Sequence, residues 1–117
     1  MFDIVLQKLS CSKFRNSFYL RESDLKYIET KGIDTIKSHA YDFINNRLAP
    51  KYIVNDGKQT PMKGHPVFVA QHATATCCRG CLYKWHKIEK NKKLNQQEII
   101  YIVNLIMCWI YKEMKKN

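Results

Sequence analysis

The feature that most constrains the fold is an amphipathic stretch near the C-terminal end of the chain. Asn95 is a favourable helix N-cap, and Glu98 follows three residues later, as a capping box requires. The apolar residues after it recur with the period of a helix: Ile99, Ile102, Val103, Ile106 and Ile110, with Trp109 and Met114 near them. An apolar stripe of this kind faces a core. The pattern therefore predicts a C-terminal helix that presents this stripe inward.

Two further helices are predicted in the first half of the chain. Ser23 can cap a helix that runs to Lys31 and ends at Gly32, since glycine commonly closes helices. A second helix is expected to begin near Asp34, as its N-cap, and to end before Pro50, because the residue before a proline disfavours helical geometry. The second of these helices carries apolar residues at helical spacing.

The middle of the chain predicts a loop followed by two short helices. Residues 51–64 are rich in turn-forming types, with a tight turn expected at Asp56 and Gly57. Pro66 suits the first position of a helix, and Thr76 is a suitable N-cap for another helix that starts at the next residue. Together the elements predict a mainly α-helical fold, a small single-domain protein with a turn-rich central loop.

The length of the chain predicts one domain. A chain of 117 residues can bury one core. We expect residues 1–13 to form an N-terminal extension and residues 14–117 to form the helical domain. The first ten residues lack the basic start, the long apolar run and the cleavage site of a signal peptide. The longest apolar run, Ile99–Tyr111, is shorter than the ~20 residues that cross a bilayer. These features predict a cytoplasmic protein without a membrane partner.

Residues 65–86 hold most of the side chains that can carry chemistry. This stretch contains three of the four histidines and three of the five cysteines of the chain. The number of cysteines is odd, and three of them are crowded together. In a reducing compartment such crowding favours free thiols, a metal site or redox chemistry over a framework of structural disulfides.

The spacing of Cys78, Cys81 and His86 predicts a zinc site. Thiolates and imidazoles are ligands that Zn²⁺ prefers. The spacing also resembles the first three ligands of a retroviral-type zinc knuckle, but Asn91 stands where the fourth cysteine of the knuckle would be. An iron–sulfur cluster normally takes four thiolates and this stretch offers three, so zinc is favoured over iron. Other groups in the motif can supply the fourth zinc ligand: His72, Cys77 or His65, or else a water molecule.

Two other interpretations of the cysteines stay open. In the first, Cys77 or Cys78 lies at a helix N-terminus beside Arg79, which lowers the pKa of the thiol and makes it a nucleophile. His72 or His86 would then be its base in a small thiolate–histidine enzyme. In the second interpretation, the cysteines are small packed side chains of a structural domain.

The positive charge of the chain is unevenly distributed. Of the net charge of +10, residues 57–117 carry eleven basic and three acidic side chains, or +8, whereas residues 1–56 carry nine and seven, or +2. A basic half suggests an anionic partner, nucleic acid first. The candidate contacts are the lysines at the end of the cysteine motif and after it: Lys84, Lys87, Lys90, Lys92 and Lys93. The alternative is a solvated lysine-rich surface.

Two segments of the chain carry a family resemblance: the run DGKQTPMKGHPVFVAQHATATCCRGCLYKWH at residues 56–86, and residues 101–109. They resemble the domain-of-unknown-function family DUF4186, an uncharacterised and mainly bacterial and phage-associated family. The resemblance extends from about Phe14 to Ile110 and implies a small single-domain intracellular protein. It assigns no catalytic or binding role to any residue.

Overall fold

The structure, a computed structural model, describes residues 2–53 and 56–116 and has no strand within them. These residues form seven helices: α1 Asp3–Ser10, α2 Lys13–Asn16, α3 Glu22–Lys31, α4 Ile33–Arg47, α5 Pro66–Ala73, α6 Arg79–His86 and α7 Gln96–Lys115. The predicted mainly α-helical, single-domain fold is confirmed. Helix α1 lies within residues 1–13, and its Leu9 is buried. A domain boundary at residue 13 stays a prediction.

Helix α7 is the centre of the core. The capping box is formed as predicted, because Asn95 Oδ1 accepts the N–H of Glu98 at 2.8 Å and Glu98 Oε1 accepts the N–H of Asn95 at 2.9 Å. All five residues of the predicted stripe are buried, mainly against α4 and α5. Each fully buried isoleucine side chain stabilises the fold by roughly 1.5–3 kcal/mol.

Helices α3 and α4 begin at other residues than the sequence predicts. Ser23 is not the N-cap of α3: Asp24 Oδ2 accepts the backbone N–H of Arg21 at 3.1 Å, so the helix starts two residues earlier. Gly32 ends α3 as predicted, with φ of 87°. The same glycine is also the N-cap of α4, and Asp34 therefore lies in the first turn, where its charge still favours the helix dipole.

The predicted loop and short helices are present, with one shifted start. The described part of residues 51–64 contains no helix and turns at Asp56 and Gly57, whereas residues 54 and 55 of this predicted loop lie outside the described residues. Pro66 is the first residue of α5, as predicted. Thr76 does not cap α6, because its hydroxyl is hydrogen-bonded to the hydroxyl of Thr74. The N-cap of α6 is Cys78 instead.

No helix in the described part of the chain is long and apolar enough to cross a membrane.

The N-cap of α5 is a buried histidine. His65 Nδ1 accepts the backbone N–H of Val67 at 3.0 Å, so the ring proton is on Nε2, which lies 3.0 Å from His39 Nδ1. Three aromatic rings surround the imidazole of His65: Tyr27, Phe43 and Phe68. Burial and the neighbouring His39 lower the pKa of His65 from 6.5 to about 4. The ring is therefore neutral in the folded protein at pH 7.

We expect acid to destabilise the fold through His65. Between pH 6.5 and about 4 the unfolded chain takes up a proton that the folded protein excludes. The free energy of unfolding therefore decreases as the pH falls through this window, by up to about 3 kcal/mol from this residue. Asparagine is a good N-cap that does not titrate. Thermal melts of His65→Asn should thus depend less on pH between 6.5 and 4 than those of the natural chain, and equal pH dependence would contradict this assignment.

Candidate metal centre

Three cysteine thiols converge where α5 is connected to α6. The Sγ atoms of Cys77, Cys78 and Cys81 lie within 4.8 Å of one another, with 3.6 Å between Cys77 and Cys81. The start of α6 brings two of them together, because Cys78 Sγ accepts the backbone N–H of Cys81 at 3.3 Å. The sulfurs of a tetrahedral zinc–thiolate site are about 3.8 Å apart, from Zn–S bonds of about 2.3 Å. The cluster is therefore close to the size that one metal ion needs.

Arg15 of α2 binds the cluster from the other side. Its Nη2 donates to Cys81 Sγ at 3.1 Å, and its Nη1 donates to Cys77 Sγ at 3.6 Å and to the carbonyl oxygen of His72 at 2.8 Å. The short helix α2 orients it, since Ser12 Oγ accepts the backbone N–H of Arg15 at 3.2 Å. The sequence prediction missed Arg15, because no local pattern connects it with cysteines about sixty residues further along the chain.

The cluster holds one thiolate and two thiols. Hydrogen bonds from Cys77 and Cys78, together with the guanidinium of Arg15, lower the pKa of Cys81 to about 2. Hydrogen bonding to Cys78 and Cys81, with burial, raises the pKa of Cys77. Hydrogen bonding to Cys77 lowers the pKa of Cys78. Hydrogen bonding to Cys81 and burial together outweigh this effect, so the pKa of Cys78 is raised above its ordinary value. Cys77 can therefore donate its S–H to the thiolate of Cys81.

This distribution corrects one sequence expectation. Cys77 or Cys78 was expected to have the lowered pKa, because both lie nearest the start of a helix. The thiolate is on Cys81 instead. Direct contacts with a guanidinium and two S–H donors outweigh the field of the α6 dipole, which is worth only about 0.3–1 kcal/mol at most exposed sites.

His86 lies outside the cluster of thiols. Its Nε2 is 2.8 Å from the carbonyl oxygen of Thr74 and therefore carries the proton. Its Nδ1 is 3.0 Å from the hydroxyl of Tyr101, which can donate to it. Burial lowers the pKa of His86, so the ring is neutral. Because both nitrogens have partners in this arrangement, His86 would have to lose one of these bonds to bind a metal. Its role as a ligand stays a prediction.

The hydrogen bonding of His72 suits a metal ligand better than that of His86. Its Nε2 lies 3.3 and 3.2 Å from the carbonyl oxygens of Thr60 and Pro61, so it carries the proton and Nδ1 keeps the lone pair. Burial lowers the pKa of His72, which favours the neutral ring. Phe18 stacks on this ring, with 5.4 Å between centroids. Like His86, His72 is not within 4.8 Å of all three sulfurs. His65, the other histidine considered, caps α5.

The predicted nucleic-acid contacts lie on α6 and the segment after it. Four of these lysines are exposed: Lys84, Lys87, Lys90 and Lys93. Lys92 is partly buried and pairs with Glu98, with Nζ 3.3 Å from the carboxylate. The segment is held by the buried guanidinium of Arg79, which donates to four backbone carbonyl oxygens: those of Leu48, Pro50, Glu89 and Lys92. The lysines therefore project from a fixed backbone.

Replacing Arg15 tests the electrostatics of the cluster. In metal-free, reduced protein, Arg15→Gln should raise the pKa of Cys81, because glutamine keeps a donor but removes the charge. It should also lower the free energy of unfolding by about 1–3 kcal/mol, since the one amide group of glutamine cannot donate to all three acceptors that Arg15 contacts. Alkylation of Cys81 by iodoacetamide, followed by mass spectrometry across pH, measures the first effect. Arg21→Gln, an exposed arginine outside the cluster, is the control; identical profiles for both variants would contradict the assigned contact.

Comparison with known proteins identifies the family but no fold relative. No solved structure matches this chain. The family model described as "Domain of unknown function (DUF4186)" matches residues 3–111, which is nearly the whole chain. The match confirms the resemblance carried by the cysteine motif and extends it to include α1. The chain belongs to the DUF4186 family.

Proposed function

We propose that this protein binds one zinc ion through Cys77, Cys78 and Cys81. The observation that supports the proposal most directly is the convergence of three sulfurs within 4.8 Å of one another. Soft thiolate ligands favour zinc among the common divalent ions, and oxygen-preferring ions such as Mg²⁺ or Ca²⁺ are poorly matched to them. A zinc ion with three thiolates has a net charge of −1, which the guanidinium of Arg15 would balance.

The fourth ligand is proposed to be His72 or a water molecule. His72 is the better of the two predicted histidines, because its Nδ1 keeps a lone pair while its Nε2 donates to backbone carbonyl oxygens. Such second contacts orient a metal-binding imidazole. With His72 the site would be closed and structural, and with water it would keep an open position.

A structural role is favoured by where the ligands lie. Cys77 belongs to the connection between α5 and α6, and Cys78 and Cys81 belong to the start of α6. Arg15 adds a contact from α2. One ion would therefore stabilise the junction of three helices. Binding to zinc would release the protons of Cys77 and Cys78, so the affinity should increase with pH.

The decisive variant is Cys81→Ser. We expect it to lower the metal content and the melting temperature together, with a loss of several kcal/mol if the site is structural. Elemental analysis and thermal melts of protein purified without added metal measure both quantities. Cys11→Ser is the matched control, because Cys11 is exposed and lies outside the cluster.

Two results would overturn the zinc proposal in different ways. Less than roughly a tenth of an equivalent of transition metal in fresh, reduced, natural protein would exclude a tight structural site. A Cys81→Ser protein that keeps its metal and melts like the natural chain would show instead that the ligand set is wrong.

An alternative function is thiolate chemistry at Cys81. It is favoured by one observation, the 3.1 Å contact between Arg15 Nη2 and Cys81 Sγ, which stabilises a nucleophilic thiolate. In that case Cys81→Ser should lose reactivity towards an alkylating reagent, whereas the metal content should be equally low in the variant and in the natural chain. The same variant therefore separates the two functions.

Nucleic-acid binding by residues 84–93 is proposed as a second property of the protein. Its support is the exposure of four lysines around a segment that Arg79 fixes. The partner could be DNA or RNA, and both contribute phosphates that lysine neutralises.

Charge reversal tests this second property. The triple variant Lys87→Glu, Lys90→Glu, Lys93→Glu should weaken binding to a short duplex and reduce its salt dependence by about one unit of slope per lysine. Lys92 is left in place because it pairs with Glu98. The matched control reverses three exposed lysines of α3 and α4: Lys26, Lys31 and Lys37. Equal effects of the two sets, or no binding at low salt, would favour a merely solvated surface.

A further inference from the structure

A cavity of about 610 Å³ lies beside the first helices of the chain. Its walls come from α2, the connection between α2 and α3, the first half of α3, residues 62–64 and the first half of α5. The volume is within the range of roughly 300–1,000 Å³ that is usual for small-molecule sites. Neither the cysteine cluster nor the lysine segment lines it, so the proposed functions do not account for it.

Three exposed apolar side chains lie together at this cavity. Phe14, Tyr19 and Met62 line it, and they are 52%, 59% and 53% exposed. The aromatic rings of Phe18 and Tyr27 also line the cavity. A concave surface with this many aromatic groups offers flat apolar faces to a ligand, and grouped exposed apolar residues commonly mark binding sites.

The charges at the cavity favour an anion. Arg21 and Lys63 are exposed at its rim, and within the described residues neither forms an ion pair. Asp24 is the acidic residue of the lining, but it is buried and its carboxylate accepts the backbone N–H of Arg21 at the start of α3. The carboxylate is therefore committed to the helix end, whereas two cationic groups remain available.

We propose that this cavity binds a small planar aromatic molecule that carries a negative charge. The rings of Phe14, Phe18 and Tyr27 would stack on or pack against the planar part of the ligand. Lys63 and Arg21 would donate charge-assisted hydrogen bonds to its anionic group. The planar part of the ligand would thus contact aromatic side chains, and its anionic group would contact cationic ones.

Two side chains of the cavity contact residues that lie next to the cysteine cluster. Phe14 lines the cavity and lies under the guanidinium of Arg15, with 5.0 Å from its carbon to the ring centroid. Phe18 lines the cavity and stacks on His72. No cysteine lines the cavity itself. Ligand binding therefore needs no metal, and the two proposals can fail independently.

A pair of fluorescent probes with one skeleton tests the proposal. The anionic probe is 8-anilinonaphthalene-1-sulfonate, and the uncharged one is N-phenyl-1-naphthylamine, which lacks the sulfonate. We expect both to bind the full chain. Lys63→Glu should raise the Kd of the sulfonate about tenfold, as expected for the loss of one charge-assisted hydrogen bond, and leave that of the uncharged probe nearly unchanged.

Two controls keep the test specific. Lys115→Glu changes the net charge equally at an exposed position that does not line the cavity, and it should affect neither probe. Tyr19→Ala removes an exposed ring of the cavity and should weaken both probes, with an unchanged melting temperature. Amide shifts in NMR spectra should locate the bound sulfonate at residues 62–64 and the start of α3. No binding at millimolar concentration, equal effects of Lys63→Glu and Lys115→Glu, or shifts elsewhere would each overturn the proposal.

Discussion

Continuous burial of residues 65–77 is the constraint on which the rest of this structure depends. Every residue in this stretch is buried, because α5 and the connection after it lie between α7 and the other helices. Several of its residues are polar, and an unpaired polar group inside a protein costs about 1–3 kcal/mol. The stretch can be buried only if each of these groups finds a partner within the protein. The hydrogen-bond partners of these polar groups come from many parts of the chain.

The hydrogen bonds of this stretch explain most of the histidines and threonines of the motif without any ligand. Thr74 Oγ1 donates to the carbonyl oxygen of Ala70 at 2.7 Å, and Thr60 Oγ1 donates to that of Cys77 at 2.8 Å. His86 donates to Thr74 and so holds α6 against the connection. The neutral thiols of Cys77 and Cys78 differ, because an uncharged S–H group is a weak hydrogen-bonding group and gains little from such contacts. Convergence of three thiols is therefore the part of the motif that polar satisfaction does not explain.

Sequence patterns correctly predicted the features that depend on residues close to one another in the chain. The α7 stripe, its capping box and Pro66 at the start of α5 follow from residues within one or two turns of each other. The N-caps Ser23 and Thr76 were wrong because several residues near each helix start could serve, and long-range packing selected among them. The spacing placed Cys78 and Cys81 in one site, with Cys77 as one candidate for a further ligand, and these three sulfurs lie within 4.8 Å of one another.

The remaining parts of both candidate sites could not be predicted from the sequence. Arg15 reaches Cys81 across 66 positions of the chain. The cavity brings Tyr19 and Met62 together across 43 positions. Contacts of this kind depend on how the helices pack, and no local pattern records them.

Arg15 also limits the charge that the cysteine cluster can have. Its side chain is only 9% exposed, and a guanidinium this far from water needs a negative partner nearby. Three neutral thiols would leave it uncompensated. One thiolate with two thiols has a charge of −1, and so has a zinc ion with three thiolates. Because the net charge is the same, the surroundings that stabilise the metal-free cluster would also suit the metal-bound one. Exchange of two protons for one divalent ion would therefore require no new compensating charge.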